Sequence, residues 1–164
     1  FYVLEETDLL EQALVPNATI AESNLTNLTS NNACASLGTS KGYYIVGAEG
    51  EKWVTNVEIF TGYVIVSSYI PKPATDPCEI GGLSYLWAFR VDCGQGFFPS
   101  GGSGTTRKQD LGAGLPTDPR VTVGPNGEAS NRVIISKQGG DIINITAPPG
   151  FPGSGMFYWR ELLD

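Results

Sequence analysis

The sequence predicts an all-β domain built from antiparallel meanders. Three observations carry this. Residues 51–90 (EKWVTNVEIFTGYVIVSSYIPKPATDPCEIGGLSYLWAFR) hold runs of β-branched and aromatic residues punctuated by turn formers. The chain has 21 Gly and 11 Pro, the supply that many short strands and irregular turns require. It is 41% apolar and 16% charged over 164 residues, which suits one domain with its own core and neither a disordered nor a membrane-spanning chain.

Taken in order, residues 1–14 begin as a short strand (FYVLE) and continue as a helical turn or loop. Residues 15–42 are rich in Asn, Ser and Thr and read as a long loop. Asn-x-Thr sequons begin at Asn17, Asn24 and Asn27, and a further one at Asn144. They read either as glycan acceptors of a secreted protein or as chance products of composition. Residues 43–46 (YYIV) form a strand leading into the central meander. There, Trp53, Val54, Val57 and Ile59 lead to a turn at Thr61-Gly62, a strand over 63–69 follows, and after a loop a third strand covers 83–90. Its apolar residues are too numerous for a sheet with one wet face, so both faces are expected to be covered. Residues 93–118 read as a second long, Gly-rich loop. Its aromatic pair, Phe97-Phe98, is either a contact surface or an anchor tucked against the domain. Short strands follow at 119–123, 132–136 and 142–146, with turns at Pro125-Asn126-Gly127 and Gly139-Gly140-Asp141. Residues 156–162 (MFYWREL) are a final apolar strand. The total is about nine short strands.

Composition narrows the function classes. The formal net charge of −7 opposes sequence-independent nucleic-acid binding and attachment to anionic lipid. Without histidine, neither a Ser-His-Asp nor a Cys-His mechanism can be assembled from this chain. Neither GAEGEKW nor GSGTTRK has the spacing of a phosphate-binding loop. Asp76, Asp92, Asp110, Asp118 and Asp141 are too scattered for a calcium loop. Glu5-Glu6, Glu49, Glu51 and Glu161 offer carboxylates. Glu49 and Glu51 would share a face of an extended segment, but as part of a turn they are solvated charges. Trp53, Trp87 and Trp159 would make a sugar platform if exposed and core if buried. The reading is therefore a chain with no catalytic residues, metal site or cofactor. The first residue is Phe1, so a mature product or part of a longer polypeptide is expected.

The cysteines are Cys34, Cys78 and Cys93, and none forms a Cys-x-x-Cys pair. One disulfide in an oxidising compartment is the simplest outcome. Cys78 and Cys93 flank a strand of about 25 Å. The loops at 71–82 and 91–104 are long enough to meet, so Cys78–Cys93 is the expected pair, with Cys34 as the alternative partner. A free cysteine crosslinking to another chain and buried thiols are the other readings.

The runs GEKWVTNVEIF, YVIVSSYIP and DPC-x-x-GG-x-SYLWAF resemble the C-terminal β-propeller of the PilY family of type IV pilus-associated proteins. FYVLEETDLL at 1–10, GAGLPTDPRVTV and the terminal YWREL, with its Trp159-Arg160-Glu161, fit the same pattern in the same order, with gaps at about 15–40 and 125–150. The calcium loop and the Arg-Gly-Asp sequence of some members are not found here. The resemblance implies about two blades of a propeller, which needs at least about four to close. The chain would then be the C-terminal part of a larger propeller. A self-contained β-sandwich or barrel is the alternative fold. The implied role is non-enzymatic: pilus assembly with minor pilins, or adhesion of the pilus tip to a host or other surface, outside the cell or at the outer membrane. Binding would run through loops 15–42 and 93–118. The rivals are a propeller enzyme fragment, quinoprotein or glycosidase-like, and a carbohydrate-binding sandwich.

Overall fold

The computed structural model describes residues 1–4, 20–72, 81–100, 104–124 and 131–148. The Asn17 sequon, Glu5-Glu6, Asp76, Cys78, the turn at 125–127 and the segment 156–162 with Trp159, Arg160 and Glu161 lie outside them.

The chain is all-β. The described elements are β1 (Tyr2–Leu4), a single 3-10 turn (Glu22–Asn24), β2 (Thr26–Asn27), β3 (Gly42–Tyr44), β4 (Lys52–Trp53), β5 (Glu58–Phe60), β6 (Tyr63–Ile70) and β7 (Leu83–Arg90). They continue with β8 (Phe98–Pro99), β9 (Thr105–Thr106), β10 (Lys108–Ala113), β11 (Arg120–Thr122), β12 (Arg132–Ser136) and β13 (Ile142–Thr146).

The centre is the antiparallel pair β6–β7, in register from Tyr63↔Arg90 to Ile70↔Leu83. Both strands carry the β-branched and aromatic side chains that fit a pleated, packed surface. β10 extends the sheet beyond β7, and β4 and β5 both pair with the far side of β6. The break between β4 and β5 is bridged by Thr55, whose hydroxyl accepts from the Ser67 amide at 2.9 Å. The result is a meander of four strand positions, like one propeller blade.

Successive side chains of β6 and β7 point to opposite faces. Val64, Val66, Trp87 and Phe89 meet Leu28, Tyr43 and Ile45 on one face. Ile65, Leu86 and Ala88 meet Phe98, Leu111, Val133 and Ile135 on the other. The sheet β1–β3–β2 thus covers one face and the sheet β11–β12–β13 the other. None of the described sheets closes into a barrel.

Two expectations change. Residues 93–118 are not a loop: they contain β8, β9 and β10. β10 (KQDLGA) was hidden because Leu111 is its one large apolar residue and a register shift between Asp110 and Gly112 interrupts its alternation. Residues 20–42 likewise hold the 3-10 turn and β2, which pairs parallel with β3. β2 is only two residues long, too short to leave a periodic signal.

The β5–β6 hairpin turns on Thr61 (φ 49°) and Gly62 (φ 81°), both left-handed, as in a type I′ turn. Glycine adopts this freely, whereas a β-branched residue is strained there. Thr61→Asn is therefore expected to raise stability by roughly 1 kcal/mol, read from urea denaturation.

Candidate functional site

The two long loops offered by the sequence as contact surfaces are joined into one platform. The chain turns tightly after β7, where the Gly94 amide donates to the Arg90 carbonyl at 2.9 Å. This lays residues 93–96 along residues 32–35. The Ala35 amide donates to Cys93 O at 3.1 Å and the Gly96 amide to Asn32 O at 2.9 Å. The Thr105 hydroxyl also donates to Asn32 O, at 3.3 Å.

Cys34 and Cys93 form a disulfide, with Cα atoms 5.0 Å apart. The expected Cys78–Cys93 pair is thus corrected in favour of the alternative partner, Cys34. Distance along the chain misled. The turn at Gly94 means that Cys93 need not reach back along β7, because the 32–35 backbone is already bonded beside it. The disulfide belongs to an oxidising, extracellular-type compartment. Among the described residues, no helix is long and apolar enough to cross a membrane.

Beneath the platform lies Arg107, 1% exposed. Its guanidinium donates to Gly94 O, to Leu28 O at 2.6 Å and to Asn31 O. Both loops therefore hang on one side chain. No carboxylate contacts it among the described residues; backbone carbonyl dipoles hold the charge. Burial pulls its pKa down. Sequence reading passed over Arg107, because GSGTTRK looks like a flexible tract. Thr105-Thr106 before it was the available strand signal.

The rim of the platform is exposed at Thr29, Ser30, Asn31, Ala33, Cys34 and Ser36. Local bonds fix its shape. Asn27 Oδ1 accepts from the Thr29 amide at 2.9 Å and Asn31 Oδ1 from the Ala33 amide at 3.0 Å. Thr29 Oγ1 accepts from the Val46 amide at 3.0 Å. Hydroxyl, amide and methyl groups held this way suit hydrogen-bonded surface contact. The nearest ion pair, Arg90–Asp92 at 2.5 Å, is exposed. It holds the Asp92 carboxyl below its ordinary range. A cavity of about 320 Å³ opens beside it, lined chiefly by Val3, Leu37, Tyr43 and Val91.

The other singled-out residues are distributed as follows. Phe98 is buried and Phe97 half-buried, the latter edge-on to Tyr63 at 5.7 Å. This pair packs inward, into the core shared with Val133 and Ile135. Trp87 is 7% exposed and packs against Trp53 with ring centroids 4.8 Å apart and planes tilted by 52°, while the half-buried Trp53 also meets Phe1 at 5.1 Å. Both belong to the core on the Tyr43 face of β6–β7 rather than to an exposed sugar platform. Asn24, Asn27 and Asn144 are exposed. Among the described residues, no three His, Cys, Asp or Glu side chains gather as metal ligands would.

Glu51 departs from its expected place as a solvated turn residue; Glu49 is exposed. The Glu51 side chain is fully covered. Its Oε1 accepts from Trp87 Nε1 at 3.0 Å and from the Ser68 hydroxyl. Its Oε2 accepts from the Ala48 amide at 2.8 Å and from Lys108 Nζ at 2.7 Å. Lys108 in turn lies 3.7 Å over the Tyr85 ring. Burial alone would raise the Glu51 pKa, but the bonds from Lys108, Ser68, Ala48 and Trp87 outweigh it and leave it below the ordinary 4.5. The group therefore stabilises the fold above pH 4.5, and this contribution is lost as pH falls through the depressed folded value.

Three outcomes are expected. Denaturation midpoints of the wild type should fall as pH drops below 4.5, with Glu51→Gln flattening that slope. Cys34→Ser should cost about 4 kcal/mol by the loop-closure relation, and a non-reducing digest should yield a linked Cys34–Cys93 peptide pair. Arg107→Met, which removes three hydrogen bonds to backbone carbonyls and leaves Gly94 O without this donor, should cost roughly 3 kcal/mol in urea denaturation.

Comparison with protein-family models, with curated proteins and with solved structures gives no match.

Proposed function

We propose that this chain is a non-enzymatic binding module displayed outside the cell, acting at the type IV pilus tip as the C-terminal part of a PilY-type propeller. Its task in this reading is assembly of the pilus with minor pilins, or adhesion of the tip to a surface. The ordered series of sequence resemblances supplies the pilus assignment. Blade-like sheets stacked face to face are compatible with it.

The observation that carries the binding role is the platform. An exposed polar loop, residues 29–36, is fastened by a disulfide to the largely buried segment 93–96 and by a buried arginine to the rigid sheet below. A surface loop with no contact role has little need of two fastenings. Preformed loops on a rigid scaffold bind with less loss of conformational freedom than mobile ones.

The test introduces Ser30→Arg and Ala33→Arg into the native gene. Both positions are exposed, so the fold should persist. Piliation or surface attachment is expected to fall at least tenfold. Unchanged pilus number and attachment would remove the platform from the proposal. The intact reduced mass of the native polypeptide checks the propeller part. A mass well above 17.5 kDa is expected, and 17.5 kDa with no tightly bound partner would leave a self-contained β domain.

A further inference from the structure

We propose that the outer edge of β13 is a strand-acceptor site, at which an extended segment of a second polypeptide adds to the sheet β11–β12–β13. The inference deepens the surface-binding reading by naming how a partner is held, and depends on that reading for its biological use.

The hydrogen-bond phase of β13 identifies the free groups. The Ala147 amide donates to Asn131 O and the Lys137 amide to Asp141 O. The pairs between these two, Val133↔Ile145 and Ile135↔Ile143, are therefore the ones that exchange backbone bonds. Ile142, Asn144 and Thr146 then turn their N–H and C=O groups away from β12, and no strand lies on that side among the described residues. Their side chains are exposed, Ile142 by 72%.

The edges of β10, β11 and β4 are guarded, and the edge strands β1, β2, β5, β8 and β9 are each no more than three residues long. β10 is broken by its register shift, and Lys137 Nζ donates to the carbonyls of Leu111 and Ala113 at 2.6 and 3.0 Å. β11 follows Pro119, is three residues long and carries Arg120. Asp118 beside it accepts from the Asn56 amide at 2.9 Å. β4 is two residues long and carries Lys52. β13 reads Ile-Ile-Asn-Ile-Thr, without charge, proline or bulge. Edges normally carry such devices because an unguarded one pairs with other chains.

The surroundings define the partner. On the inner face, the rows Val121–Val133–Ile145 and Ile135–Ile143 end at the open edge with Ile143 and Ile145 half-buried. A strand with branched apolar residues at alternate positions would continue both rows into the core. On the outer face, Arg132 stands opposite Thr146, and Arg120 lies in the row Arg120–Ile134–Asn144. Arg120 already has the Asp118 carboxylate as its electrostatic neighbour, so the partner is selected by the apolar rows, with polar residues at the intervening positions. Backbone bonds would supply affinity and this alternation selectivity.

The test uses the full chain and a fluorescein-labelled TVEVTVEV peptide, with TPEPTPEP as control. Saturable binding of the first and none of the second is expected, with slowed amide exchange at Ile142, Asn144 and Thr146 in the complex. Asn144→Pro removes an outward N–H without touching a bond to β12, so it should weaken binding at least tenfold at an unchanged thermal midpoint. Thr146→Glu, which sets a like charge against the peptide's outer-face carboxylates, is the second variant, with weakened binding expected, should proline disturb the strand. Absence of binding would overturn the proposal. So would the three amides being fully protected in the free chain, since the edge would then be covered from within. Because the assay contains only chain and peptide, its failure leaves the platform reading standing. Loss of attachment in the platform variants is read separately.

Discussion

The structure depends on one constraint: the β6–β7 pair is buried on both faces. A sheet covered on one side alternates apolar and polar residues. Here Val64, Ile65 and Val66 are buried in succession, as are Leu86, Trp87, Ala88 and Phe89. Neither face can be left wet, so each must find its own cover. The sheet β1–β3–β2 and the sheet β11–β12–β13 answer that need from opposite sides. Of the polar residues that remain in the pair, Ser67 keeps a buried hydroxyl oxygen without a partner, whereas Ser84 and Ser68 are satisfied from within the fold. Ser84 donates to Gly112 O at 3.0 Å, and Ser68 joins Trp87 and Glu51. Placing the carboxylate of Glu51 there is tolerable only because donors surround it.

The same logic explains the underside of the platform. Residues 28–36 and 93–98 run without regular pairing over much of their length, so their carbonyls need donors. A guanidinium offers several in a fixed plane and keeps its charge in an apolar setting better than an ammonium would. Arg107 answers three carbonyls at once. The disulfide acts on the unfolded chain by restricting it, whereas Arg107 acts on the folded one. The two fastenings are therefore independent in origin although they hold the same loops.

Much of the fold was legible in the sequence, in an uneven way. β6, β7, β12 and β13 announce themselves through β-branched and aromatic runs, and the two-face burial follows from their continuity. β10 does not, because five of its six residues are polar or small and its place is set by pairing with β7. β2 is too short to carry a pattern. Cys34 was within view as a partner, but the choice between it and Cys78 depended on a turn at Gly94 that no local periodicity reveals. Glu51 and Arg107 were hidden for a further reason. Charged residues within a sequence look like surface, and only the assembled donors and acceptors around them show otherwise. The exposed rim residues sit in the Asn- and Thr-rich stretch that composition marks as loop.

The Cys34–Cys93 bond also has a mechanical meaning. Its ends are 59 residues apart, and the closed loop contains β3 to β7. If the chain is pulled from its two ends, the load bypasses that loop through the covalent bridge. About 200 Å of contour length is then withheld from extension. Peeling would start in β1 or in the strands beyond Cys93, while the β6–β7 pair stays shielded behind the bridge. Under a steady load the chain would lengthen in short steps from its flanks and keep its central sheet.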